Sequence, residues 1–172
     1  RAEFHKAQQQ LAAEQNKMRH IEEHDHVKAE ELYRLAIAAD PRHGFSHYNL
    51  AVLLEEVKHD NDGAEASFKC AVEINPTDAV ALEDYALFLL RVRRDRPGSL
   101  AMFERALRTD PESARLLCHV AKLKAGPAVG ALDEAEGIYR GVLERDPFNG
   151  DALAGCAAVL GLGHLGGAGG GE

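Results

Sequence analysis

Two stretches hold residue types able to bind a metal or an anion, and neither has the spacing to do so unaided. His20 and His24 stand four apart with Asp25 and His26 alongside, so a helix would set the first two imidazoles on one face. Two histidines do not close a metal shell, and no third or fourth ligand follows at zinc-binding spacing. The segment therefore reads as an acid-flanked, solvated turn, and no metal is expected. Arg91, Arg93, Arg94 and Arg96 crowd into one short stretch. Such a cluster could meet an acidic or phosphorylated partner, but cations also complement the C-terminal dipole of a helix, and the plainer reading is preferred. Cys118 beside His119 is no catalytic pair, because neighbours on a helix point about 100° apart. With Cys70 and Cys156 it reads as a reduced, buried thiol rather than part of a disulfide framework. The sequence has no phosphate-cradling glycine loop, HExxH, GxSxG or paired-carboxylate signature. No enzyme and no cofactor are expected.

The elements that must position these residues announce themselves through a period. An Asp/Asn-Pro step recurs at Asp40-Pro41, Asn75-Pro76, Asp110-Pro111 and Asp146-Pro147, with the prolines 35, 35 and 36 residues apart. Eight residues before each proline stands an aromatic, Tyr33, Phe68, Phe103 and Tyr139. Five before it come Ala36, Ala71, Ala106 and the larger Val142, and twelve before it Ala29, Ala64, Ser99 and Ala135. Offsets of three and four place these side chains on one helical face, and the proline ends that helix. A second apolar set follows each of the first three prolines: Leu50, Ala51 and Leu54; Leu82, Tyr85, Ala86 and Leu89; Leu117, Val120 and Ala121. The polar or glycine-bearing links Lys58 to Gly63, Arg93 to Gly98 and Gly126 to Gly130 are short enough to make the two helices antiparallel. Asp62 followed by Glu65 has the form of an N-cap with its reciprocal acid.

Four copies in register resemble the tetratricopeptide repeat, a helix-turn-helix unit of about 34 residues with small and aromatic residues at these offsets and a closing proline. The resemblance covers roughly residues 27 to 162. It departs from the pattern where an early tryptophan is replaced by His47, Leu82, Leu117 and Leu153, and in a unit slightly longer than usual. It implies an all-α, right-handed superhelical solenoid of antiparallel helix pairs, about four repeats with a long N-terminal helix. The expected layout is an N-terminal amphipathic helix over 1–26, replacing the first helix of repeat one, then an array over 27–162 with units 27–43, 44–78, 79–113, 114–149 and a partial 150–162. Phe4, Leu11 and Met18, with Ile21, supply the apolar face of that first helix, and Gln8 to Gln10 its solvated side. A glycine-rich flexible tail over 163–172 completes the layout.

In the family it resembles, the first helix of each repeat lines a concave groove. Carried over by register, this gives Phe45, Tyr48, Asn49 and Val52, then Val80, Glu83, Asp84 and Leu87, then Arg115, Cys118, His119 and Lys122. Such a face, passing from aromatic to acidic to basic, implies a peptide partner with apolar anchors and a basic segment over Glu83 and Asp84. The family's two-carboxylate clamp is not expected: Asn49 matches one of its positions, but Val80 and Asp84 stand where lysine and arginine belong.

Bulk properties narrow the partner further. The 172 residues are 45% apolar and 28% charged with a net charge of −8, a folded composition whose field repels nucleic acid and anionic membranes. No run approaches a membrane span or a secretion signal, and an intracellular, cytoplasmic setting is the expectation. Asp151 to Leu162 is uncharged after its first residue, so further repeats or self-association at this uncapped end are expected. The function expected is a protein-interaction scaffold. Its rivals are a docking segment of a larger enzyme or complex and, less favoured by the charge, an RNA-binding helical repeat.

Overall fold

A computed structural model describes residues 24–126 and 130–166, with 162–166 by backbone alone. The expected helix face of Phe4, Leu11 and Met18, the glutamine run and His20 lie outside the described residues. Every regular element among the described residues is helical. Helix α1 spans 24–39. It is followed by α2 (Gly44–Leu53), α3 (Asn61–Ile74), α4 (Ala79–Phe88), α5 (Arg96–Thr109), α6 (Ala114–Lys124), α7 (Leu132–Arg145) and α8 (Gly150–Gly166). The chain divides after Ile74 into two compact units. In the first, α2 pairs with α3; in the second, α4 pairs with α5 and α6 with α7, and α8 returns against α7 and α6.

Each hairpin is set by hydrogen bonds at its ends. The last helical bond of α5 runs from Asp110 N–H to the Ala106 carbonyl, and that of α7 from Asp146 N–H to Val142; the proline that follows has no N–H to continue the ladder. The recurring aspartate has a further task. Asp40 accepts the N–H of Arg42 at 3.0 Å and Asp146 that of Phe148 at 3.3 Å, an Asx-type turn that starts the chain back. Asp78 then caps α4 through the N–H groups of Val80 and Ala81, and Asn149 caps α8 through that of Ala152.

The links inside the first two complete hairpins are tighter than the sequence suggests. Helix α2 continues through Lys58 and α4 through Arg93 as single π-helical turns, Leu54–Lys58 and Leu89–Arg93. The Leu54 carbonyl accepts from His59 and Asp60, and that of Leu89 from Arg94 and Asp95. His59 and Arg94 take the left-handed conformation, with φ of 55° and 58°, and the next residue caps the following helix. Asp60 accepts from Gly63 N–H at 3.0 Å and Asp95 from Gly98 N–H at 2.9 Å. The cap expected at Asp62 therefore sits at Asp60, with Asp62 inside the first turn. A π turn holds one residue more than an α turn, which accounts for a 35-residue period in place of about 34.

Two further expectations give way. His24, Asp25 and His26 are helical rather than a turn; nothing there breaks a helix, and residues two apart face different sides. Helix α8 runs on through Gly166, past Leu162, since glycine weakens a helix by about 1 kcal/mol per residue without forbidding it.

The core follows the period. Phe68, Phe103 and Tyr139 are buried, as are Ala71, Ala106 and Val142 and the first-helix set Leu50, Ala51, Leu82, Ala86, Val120 and Ala121. In α6 it is Leu116, more than Leu117, that is buried. In α1 the corresponding Ala29, Tyr33 and Ala36 are half-buried, and in α8 Ala157 is exposed.

Phe68→Ala should lower unfolding free energy by about 3–5 kcal/mol through the cavity it leaves, and Ala86→Leu by about 1–3 kcal/mol through overpacking. Chemical denaturation that finds both changes neutral would contradict this register. Ser99 occupies the buried place of Ala64 and Ala135, and its hydroxyl has no hydrogen-bond partner among the described residues. Ser99→Ala should thus raise stability by about 1 kcal/mol, read from the denaturation midpoint.

Candidate functional site

The first helices present their outward faces differently in the two units. In the first unit Phe45 is 66% exposed and meets the His43 ring edge-on at 6.3 Å. Tyr48 lies edge-on to Phe68 at 6.4 Å, and Val52 is half-buried. Asn49 donates to the Phe45 carbonyl at 2.8 Å, so part of its amide is committed to its own helix.

In the second unit the acidic and basic groups expected to face a ligand partly satisfy each other. Glu83 is only 5% exposed and accepts a hydrogen bond from Arg115 Nη2 at 2.5 Å, joining α4 to α6. Burial raises the Glu83 pKa and the neighbouring Asp84 adds to the rise, while Arg115 opposes both. Glu83 is thus a bridge between helices rather than an open carboxylate awaiting a basic peptide. Asp84 and Leu87 are half-buried beside it, and Val80 is exposed.

The α6 face leads into a cavity of about 460 Å³. Arg115, Cys118, His119 and Lys122 line it from α6, Tyr139 from α7, and Asp151, Ala154, Gly155 and Ala158 from α8. Register shows why there is room. Asn49, Asp84, His119 and Gly155 occupy equivalent places in successive first helices. His119 lies flat on Phe103, with ring centroids 4.8 Å apart and planes at 8°. At the next position Gly155 has no side chain, and its Cα rests directly on the Tyr139 ring, where any Cβ would collide. The hollow lies beside the glycine that lets α8 settle on Tyr139.

The cavity is chemically quiet. Burial, reinforced by Asp151, raises the pKa of the Cys118 thiol, which works against a reactive thiolate. Burial first, then Lys122 and Arg115, lower the pKa of His119, against a smaller opposing effect of Asp151. Among the described residues no group of three histidine, cysteine or acidic side chains could hold a metal. No helix among them is long and apolar enough to cross a membrane. Sequence reasoning named the α6 residues of the cavity but missed Tyr139, Asp151, Gly155 and Ala158. The one signal for them was a glycine where the repeat carries Asn49, Asp84 and His119.

His119 gives a pH prediction. Its folded pKa is depressed, so the unfolded chain takes up this proton first as pH falls, and stability is lost through the ordinary histidine range near 6.5. His119→Phe keeps a flat ring over Phe103 and should lessen that acid sensitivity; identical dependence of melting temperature on pH in both proteins would count against it.

No protein-family profile matches the chain, and no curated protein matches it. Solved structures do. YrrB, described as a tetratricopeptide repeat protein with an unusual peptide-binding site, superposes with a TM-score of 0.69 at 18% identity, over 82% of this chain and 71% of its own. MamA gives 0.69 at 17% identity, over 83% and 81%. The second such domain of human RPAP3, solved with an HSP70 peptide, gives 0.57 at 14% identity, over 67% and 93%. With the recurring helix pairs, the buried aromatic and alanine positions and the Asp-Pro turns already in place, these likenesses identify the fold: the chain is an all-α helical repeat of the tetratricopeptide type.

Proposed function

We propose that the protein is a non-enzymatic interaction scaffold that holds a segment of a partner protein on the outward face of the first helices in its second unit. The observation that carries this reading is the cavity bounded by α6, α7 and α8, where an apolar floor is flanked by Arg115, Lys122 and Asp151. Protein-binding surfaces concentrate their energy where one apolar side chain enters a dry pocket ringed by polar groups. A volume of about 460 Å³ is ample for one large side chain of a bound segment. In the first unit Phe45, Tyr48 and Val52 supply apolar contact area on the equivalent face. YrrB is described with a peptide-binding site and the RPAP3 domain was solved with an HSP70 peptide; both support the class of ligand.

The basic partner segment expected over Glu83 and Asp84 drops out of the proposal, because the Glu83 carboxylate is already held by Arg115. The exposed Leu153 and Leu160 of α8 favour a second reading, in which this helix face packs on further protein and the chain serves as a docking segment within a larger assembly.

Ala158 lines the cavity from an exposed position on α8, so Ala158→Phe can fill the space without disturbing buried packing. Peptides selected from a random library on the full chain should carry a large apolar residue. Their affinity should fall about ten-fold or more in Ala158→Phe, the loss expected when one side chain is no longer buried, with the melting curve unchanged. Equal affinity of both proteins for every selected peptide would refute the role of the cavity.

A further inference from the structure

The arginines between α4 and α5 stand on a turn that the molecule builds twice, so the protein contains its own control. The link from α2 to α3 has the same backbone, with the same π turn, a left-handed residue at His59 and an aspartate cap at Asp60. There the positions matching Arg91, Arg93, Arg94 and Arg96 hold Glu56, Lys58, His59 and Asn61. The turn therefore does not require arginine, and one lysine suffices for the helix dipole.

In the second unit this link borders a separate cavity of about 280 Å³ lined by Leu90, Arg91, Arg94 and Arg96, with no acidic side chain in its wall. Arg93 is turned to another use, its guanidinium 5.8 Å from the centre of the Phe88 ring. Neither Arg94 nor Arg96 forms an ion pair among the described residues. The Nε of Arg96 is buried without a hydrogen-bond partner among the described residues, and its guanidinium lies against Gly126, which leaves space for it by having no Cβ. The nearest acid in sequence, Asp95, spends one oxygen on the Gly98 N–H. A buried guanidinium N–H left without an acceptor is costly, and like charges gathered around one hollow repel.

We propose that this hollow is a binding site for a phosphoryl group, carried on a phosphorylated serine or threonine of a partner protein. The charge decides the class: the guanidiniums of Arg94 and Arg96, side by side in the wall, suit a group of charge about −1.5 to −2 with three acceptor oxygens better than a single carboxylate. The planar fork of arginine matches phosphate oxygens in pairs. Scale and field decide the carrier, since the hollow admits one such group and a net charge of −8 opposes a long polyanion such as RNA. The site is separate from the cavity beside α8 and does not depend on it.

The test uses the full chain and a short glycine-serine peptide carrying one phosphoserine, its unphosphorylated twin, inorganic phosphate and a single-stranded RNA oligonucleotide. Binding is followed through the arginine Nε–H signals in NMR. The phosphopeptide should shift the Arg96 signal saturably and bind at least about ten-fold more tightly than its twin, as a charge-assisted, bidentate contact requires. Arg94→Asn provides the sharp variant, because asparagine suits the left-handed backbone at φ 58°. It should keep or raise the melting temperature while weakening the phosphopeptide several-fold, and Arg96→Lys should weaken it too by losing the fork. Inorganic phosphate displacing the peptide from the same signals would support the site. Equal binding of both peptides, undiminished binding in Arg94→Asn with the fold intact, or tighter retention of the RNA would each overturn the proposal.

Discussion

Ala51, Ala86 and Ala121 have no exposed surface, and neither do Ala64, Ser99 and Ala135 on the helices packed against them. Small residues at these places let two helices approach closely, and the larger rings of Phe68, Phe103 and Tyr139 fill the gaps that remain. No single hairpin of this size buries enough surface to be stable alone. In the second unit each depends on being covered by the next element, and that dependence brings α6, α7 and α8 together around one core cluster of Cys118, Ala121, Ala135, Tyr139, Val142, Ala152 and Val159.

Within that scheme the repeat permits variation only where packing does not forbid it. The place held by Asn49, Asp84, His119 and Gly155 is a clear case. An amide bonds back to its helix, an imidazole stacks on a ring, and a glycine allows the next helix to rest on Tyr139. One backbone thus produces a covered ring in one module and a hollow in the next. The same holds for the links: the π turn and its left-handed residue recur almost unchanged in φ, while the side chains they carry range from Glu56 and Asn61 to a run of arginines.

The ion pair of Glu83 with Arg115 shows how a surface assigned from sequence can be spent internally. Thirty-two residues separate the two, but they meet because successive first helices stand side by side in the second unit. Glu83 is buried while Arg115 stays largely exposed, so the guanidinium is anchored at one end and still borders the cavity. The Glu83 carboxylate is thereby engaged within the molecule, and Arg115 is held in place beside the cavity.

The sequence alone was enough to establish the helical class, the period and most core positions of α2 to α7, because a proline, an aromatic and an alanine recurring at constant offsets leave one helical face to bury. It also contained the residues of the α6 face. Where a side chain would end up was decided by the tertiary structure. The cap moved from Asp62 to Asp60 because a π turn absorbs the extra residue, and Glu83 became a bridge because α6 lies beside α4. The cavity walls on α7 and α8 were illegible for the same reason. Tyr139, Gly155 and Ala158 are ordinary repeat residues until three helices meet, and a hollow belongs to the space between elements, not to any one of them.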